Sequence, residues 1–133
     1  MEMCEILAKL VESQVVTKNI RYPDREEFLV NGERVTENEF IDAEATLANV
    51  VAKTVKVFVE ELLNREVDVD YDPDIGDYLD VKDPEGNILF SIRVATCIDF
   101  RASDRYEVST KWRPLKEIIA DTIEAAKGYL ASN

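Results

Sequence analysis

The chain has no histidine among its 133 residues. Without an imidazole there is no Ser-His-Asp or Cys-His nucleophile, no histidine general base and no histidine-ligated zinc. Cysteine is nearly absent too. Cys4 and Cys97 are the only two thiols, too few for a four-sulfur zinc site. Each lies in an apolar stretch, which predicts a small buried hydrophobe in a reducing compartment rather than a disulfide. The four glycines (Gly32, Gly76, Gly86, Gly128) are isolated, so no glycine-rich loop is available to cradle phosphate. So few glycines, with four prolines, leave no room for a long flexible linker. The serines lack the spacing of a nucleophile elbow. No apolar run approaches the roughly 20 residues that span a bilayer. The N-terminal MEMCEILAKL carries Glu2 and Glu5 where a secretory signal is basic. A cytoplasmic location with no membrane partner is expected. Any catalysis has to rest on carboxylates, lysine and a bound metal.

What the chain has in excess is negative charge. Its net charge is −12, with a sequence pI near 4.4. Residues 66–87 hold nine acids (Glu66, Asp68, Asp70, Asp72, Asp74, Asp77, Asp80, Asp83, Glu85) against one base, Lys82. That segment carries −8, and the other 111 residues carry only −4. The acidity is local, so it belongs to a surface rather than to the composition. The apolar fraction of 46% is ordinary, and it supplies enough hydrophobic surface to offset the entropy of ordering. The length fits one domain with a real core. A chain this acidic repels nucleic-acid phosphate and anionic lipid, which leaves basic proteins, cations, or proteins that themselves bind nucleic acid as partners.

Hydrophobic periodicity gives the elements. Met3, Ile6, Leu7, Leu10 and Val11 make one face of a helix over 2–13. Residues 14–22 read as a strand that stops at Pro23-Asp24. Asn31-Gly32 marks a tight hairpin within 26–35, because both residues tolerate positive φ. Thr36-Glu37-Asn38-Glu39 is a capping-box pattern. It opens a long helix over about 36–65, whose apolar face runs from Phe40, Ile41 and Ala45 through Leu47, Val51 and Val55 to Leu62.

In 66–72, Val67, Val69 and Tyr71 alternate with Glu66, Asp68, Asp70 and Asp72, the pattern of a half-buried strand. A second strand over 77–82 turns Leu79 and Val81 inward. Asp83-Pro84-Glu85-Gly86 suits a type I turn. Residues 88–100 alternate, with Ile88, Phe90, Ile92, Val94, Ile98 and Phe100 on one face. Thirteen residues is long for one strand and predicts a bend or bulge. A further strand over 105–113 turns Tyr106, Val108, Thr110 and Trp112 inward. Pro114 suits the first turn of a final helix, about 114–131, that buries Leu115, Ile118, Ile119, Ile123, Ala126 and Leu130.

The expected fold is α+β: a single domain with an antiparallel sheet of about five to six strands. The sheet packs against a long central helix and a C-terminal helix, with a short N-terminal helix besides. In element order the chain is broadly similar to roadblock-type domains and to small acidic secretion chaperones. The similarity covers element order and no motif.

Three chemistries fit the acidic segment. Pro73-Asp74 and Asp80-Val81-Lys82 match the letters of the PD…(D/E)xK pattern of metal-dependent nucleases. In that reading Asp74 and Asp80 hold Mg²⁺, Lys82 is the catalytic cation, and Glu60 or Glu61 is a third acid. The proline-aspartate falls in a turn instead of opening its own strand, and no basic surface holds nucleic acid. Asp68, Asp70, Asp72 and Asp74 have the every-second-residue spacing of an EF-hand. However, Pro73 takes the glycine position and Leu79 stands where the bidentate glutamate belongs. This leaves weak divalent cation binding at the surface and no dedicated cofactor.

The third chemistry is electrostatic. Glu66, Asp68, Asp70 and Asp72 repeat every 7 Å or so along one strand face, with Tyr78, Asp80 and Lys82 beside them. Like charges across a ladder are destabilising. Such a cluster either docks a basic partner or keeps an exposed strand soluble and unpaired. Arg101, Arg105, Lys111 and Arg113 make a modest basic face. Beside the acidic hairpin it allows self-association as a homodimer.

The function these residues favour is a non-enzymatic binding protein (inhibitor, antidote, anti-defence protein or chaperone) with residues 66–85 against a basic protein. A Mg²⁺-dependent nuclease or phosphodiesterase using Asp74, Asp80 and Lys82 is the alternative. A dimerisation or scaffold domain is the third.

Overall fold

The computed structural model describes residues 2–71 and 76–132. Helix α1, Met3–Glu12, buries Ile6 and Leu10 one turn apart and ends where the Ser13 N–H donates to the Lys9 carbonyl. Strand β1, Val15–Arg21, pairs antiparallel with β2, Glu26–Val30. Asn31 and Gly32, at φ 52° and 82°, then turn the chain into β3, Glu33–Val35. Both positive φ values are what a two-residue hairpin of this type requires.

Helix α2 spans Glu37–Leu63. Its capping box is complete. The Glu39 N–H donates to the Thr36 hydroxyl at 3.2 Å, and the Thr36 N–H donates to the Glu39 carboxylate at 2.9 Å. Phe40, Ala43, Leu47, Val51, Val55, Val59 and Leu63 form a buried stripe down the whole length. The β-branched tail stays helical because that stripe continues unbroken to Leu63. Asn64 then stops the helix in a left-handed conformation, φ 54°. Ile41, expected on the buried face, points to solvent.

After α2 come β4, Asp68–Tyr71, β5, Tyr78–Lys82, β6, Ile88–Arg93, β7, Ala95–Arg101, and β8, Tyr106–Trp112. They do not join one sheet. The order β3-β2-β1-β8-β7 makes a five-stranded sheet, and β4-β5-β6 a separate three-stranded one. All pairings are antiparallel. The expected long strand over 88–100 is therefore two strands in two sheets.

The break is at Val94. Val94 and Ala95 are both fully buried, which successive residues of a strand with one face open to solvent do not achieve. Both of their N–H groups donate to the Asp77 carbonyl, and the Val94 carbonyl accepts from Arg113 N–H. The alternation changes phase there. Ile92 faces the core in β6, but Ala95 does so in β7, so Ile98 and Phe100 are turned outward and lie 44% and 48% exposed.

Helix α3, Leu115–Ser132, follows Pro114 and packs on α2, β6 and α1. It buries Ile118, Thr122 and Ala126. Thr122 sits in the apolar phase with its hydroxyl satisfied by the Ile118 carbonyl at 2.7 Å. Leu130, expected inside, is 49% exposed near the helix end. One hydrophobic cluster joins all three helices to both sheets. Phe28 on β2 meets Phe40 on α2 at 5.2 Å between ring centroids, and Tyr71 on β4 meets Trp112 on β8 edge-on at 5.3 Å. The other face of the five-stranded sheet carries Lys18 paired with Glu107, Arg25 and Arg34 paired with Glu27, and the exposed Ile98 and Phe100.

Candidate functional site

The alternation in β4 and β5 sorts their side chains between core and solvent. Leu79 and Val81 are fully buried and Val69 packs against the core from β4. Asp68, Asp70, Asp80 and Lys82 project from the opposite face. The register sets Asp68 opposite Lys82, Asp70 opposite Asp80, and Asp80 opposite Ser91 of β6. Two carboxylates directly across a ladder repel, and two neighbours relieve them. Lys82 Nζ reaches diagonally to Asp70 Oδ2 at 2.8 Å, and the Ser91 hydroxyl donates to Asp80 Oδ1 at 2.6 Å. The hydrogen bond to Asp70 raises the Lys82 ammonium above its ordinary pKa. Asp68 has no ion-pair partner among the described residues. Tyr78 and Arg93, paired across β5 and β6, close the other end of this face.

The remaining acids do other work. The Asp77 carboxylate accepts the Cys97 N–H at 2.9 Å, fastening the start of β5 to edge strand β7. Asp83 lies inside its turn, accepting from the Glu85 N–H, the Asn87 N–H and the Asn87 amide. The bonds from Asn87, the backbone one above all, hold the Asp83 carboxyl below its usual pKa. Glu66 is exposed before β4, and Glu85 is exposed at the turn tip. Asp72 and Asp74 lie outside the described residues. Of the nine acids, the fold thus brings Asp68, Asp70 and Asp80 together on one face and uses Asp77 and Asp83 as backbone acceptors.

Of the candidate catalytic trio, Asp74 falls outside the described residues, and Asp80 and Lys82 share the outer face of β5. Glu60 accepts the Val67 N–H at 3.1 Å. Among the described residues, no three acids or cysteines converge as a metal ion needs. The expected basic face is divided. Lys111 is on the outer face of the five-stranded sheet, whereas Arg101 stacks 4.4 Å from the Tyr106 ring. Arg105 pairs with Asp104 and Glu107, and Arg113 with Glu117 and Asp121.

Both cysteines are exposed, not buried. Cys4 sits off the Ile6–Leu10 stripe of α1. The phase change at Val94 puts Cys97 toward the α2 side, on a strand that forms the sheet edge among the described residues. Its Sγ lies 3.7 Å from Thr110 Oγ1, and partial burial raises the thiol pKa.

That same side holds a feature the sequence reading missed. A cavity of about 550 Å³ opens between α2 and the β7–β8 half of the five-stranded sheet. Glu44, Ala45 and Ala48 line it from α2, Tyr71 from β4, and Cys97, Asp99, Tyr106, Thr110 and Trp112 from β7 and β8. The Thr17 hydroxyl donates to Glu44 Oε2 at 2.9 Å, and Tyr106 Oη donates to Asp99 Oδ2 at 3.0 Å. Burial holds the Glu44 carboxyl above its ordinary pKa, against the opposing pull of the Thr17 hydroxyl. Trp112 is 2% exposed, and its indole N–H has no acceptor among the described residues. An orphaned buried donor costs about 1–3 kcal/mol. The signal was present in the sequence: Glu44 follows Phe40 by four residues and precedes Leu47 by three, so it is a carboxylate in the buried phase of α2.

No known protein family, curated protein or solved structure gives a significant match to this chain.

Proposed function

We propose that this chain is a small, non-enzymatic protein-binding module of the cytoplasm. It docks a basic protein partner through the acidic face of its three-stranded sheet and needs no cofactor to do so. The observation that carries the reading is the set of carboxylates Asp68, Asp70 and Asp80 on one outer face, with Leu79 and Val81 buried directly behind them. A rigid strand pair holds the charges in place, so a partner does not bear the entropy of ordering them. A guanidinium or ammonium meets Asp68 without first breaking an ion pair. A second cation competes with Lys82 for Asp70. The net charge of −12 favours basic proteins over nucleic acid. Two free thiols suit a reducing compartment. No helix among the described residues is long and apolar enough to cross a membrane.

The test is affinity for a basic polypeptide, measured by calorimetry on two charge-matched variants. Asp68→Asn, Asp70→Asn and Asp80→Asn together are expected to weaken binding by about tenfold or more. Glu5→Gln, Glu33→Gln and Glu124→Gln together, which remove the same charge elsewhere, are expected to weaken it far less. Equal losses in both would mean that net charge, and not this face, attracts the partner.

A further inference from the structure

We propose that the cavity between α2 and β7–β8 is a binding site for a small organic ammonium ion that also carries a neutral oxygen acceptor. This site is separate from the acidic docking face. Tyr71 lines the cavity from one side of β4, while Asp68 and Asp70 project from the other.

Size, charge, wall chemistry and an unmet donor point to the same ligand. The volume of about 550 Å³ lies in the range of small-molecule sites. Among the described residues its lining holds two carboxylates, Glu44 and Asp99, and no lysine or arginine, so an anion is repelled and a cation attracted. Apart from Thr110 and Cys97, the other walls are aromatic and apolar. Tyr71 and Trp112 present rings, while Tyr106 already carries the Arg101 guanidinium over one face of its ring; ring faces attract ammonium groups more strongly when water is excluded. A metal ion fits poorly, because no three potential ligands converge among the described residues and aromatic walls offer it nothing. An alkylammonium or quaternary ammonium uses both features at once.

The acceptor follows from Trp112. Trp112 lines the cavity and its buried indole N–H is without a partner among the described residues, so a ligand oxygen beside it would supply an acceptor. A carboxylate oxygen would be repelled by Glu44 and Asp99, which leaves a hydroxyl or a carbonyl. Glu44 is already held by Thr17 and Asp99 by Tyr106, so the two charges are oriented before the ligand arrives. Burial of the Glu44 carboxyl raises its pKa, and a bound ammonium would favour its ionised form.

Trp112 is the one tryptophan of the chain, so its emission and its indole N–H resonance report on this cavity directly. Choline is the probe, and 3,3-dimethylbutan-1-ol, the same shape without the charge, is the control. Choline is expected to shift both signals saturably, with a dissociation constant of about 1 mM or below. The alcohol is expected to bind at least about tenfold more weakly. Glu44→Gln and Asp99→Asn keep the acceptors of Thr17 and Tyr106, so both variants should fold, as far-ultraviolet dichroism would show. Each is expected to weaken choline by about tenfold. Three results would each overturn the proposal: no saturable shift with choline, an equal response to the alcohol, or unchanged affinity in both folded variants.

Discussion

Glu44 shows how a single residue carries more than a periodic pattern conveys. Its position on α2 borders the buried stripe, yet it is a carboxylate, and the only hydrogen bond its side chain makes among the described residues is from Thr17. Burial raises its pKa above the ordinary 4.5. Between that ordinary value and the raised one, the folded state holds more protons than the unfolded state. Stability contributed by this group therefore falls as pH rises through that window. Glu44→Gln removes the titration. Its melting temperature relative to wild type is expected to climb as pH rises above the ordinary carboxylate value and to level off once the carboxyl is ionised in the fold. A difference that does not change with pH would show that the carboxyl is not held up in the fold. Asp83 has the opposite sign. Its depressed pKa gives stability that is present above the ordinary carboxylate value and lost as pH falls, so the wild-type profile alone mixes both. Residue identity was legible here and residue environment was not. Cys97 looked buried until the phase of its strand was known, and the phase of Glu44 on α2 acquires a meaning only with the opposing strands in place.

At the scale of elements, the signals that the sequence carries strongly are local ones. The Thr36/Glu39 box, the Asn31-Gly32 turn and the Asp83–Gly86 turn all form where their residue types require. Thr36→Ala removes the hydroxyl that accepts the Glu39 N–H and is expected to destabilise the fold by about 1 kcal/mol in urea unfolding, with an unchanged slope. Leu79→Ala, behind the acidic face, is expected to cost about 2–5 kcal/mol, because Leu79 is fully buried in the common core. The length of 88–100 signalled a bend or bulge, but its division between two sheets as β6 and β7 was not legible. Alternation says which residues share a face, but a phase change needs a partner, and that partner is Asp77, whose carbonyl takes the Val94 and Ala95 N–H groups. Its carboxylate also caps the Cys97 N–H on the open edge. Asp77→Ala is expected to speed hydrogen exchange at the Cys97 amide by about tenfold or more while the α2 core amides stay protected. Unchanged exchange at Cys97 would mean the edge is held by something other than this side chain.

For the molecule as a whole, composition located the charge, and the two-sheet arrangement decides what the charge can do. A single sheet would have spread the nine acids along one rim. Two sheets meeting at Asp77 and Val94 instead put Asp68, Asp70 and Asp80 on a small outer face, consume Asp77 and Asp83 in backbone bonds, and open a cavity on the far side of β4. The face was readable from alternation alone, since Val69, Leu79 and Val81 fixed which side was inward. The cavity was not, because its walls come from α2, β4, β7 and β8, four elements brought together only by the fold.

The most direct test of the account is amide chemical-shift mapping of the labelled protein, titrated with a lysine- and arginine-rich peptide at low salt and again at about 0.3 M salt. The account predicts shifts concentrated on Asp68–Asp70 and Tyr78–Lys82, and their strong attenuation at the higher salt concentration. Shifts spread evenly over exposed acids throughout the chain, or shifts at the acidic face that persist unchanged in high salt, would contradict it.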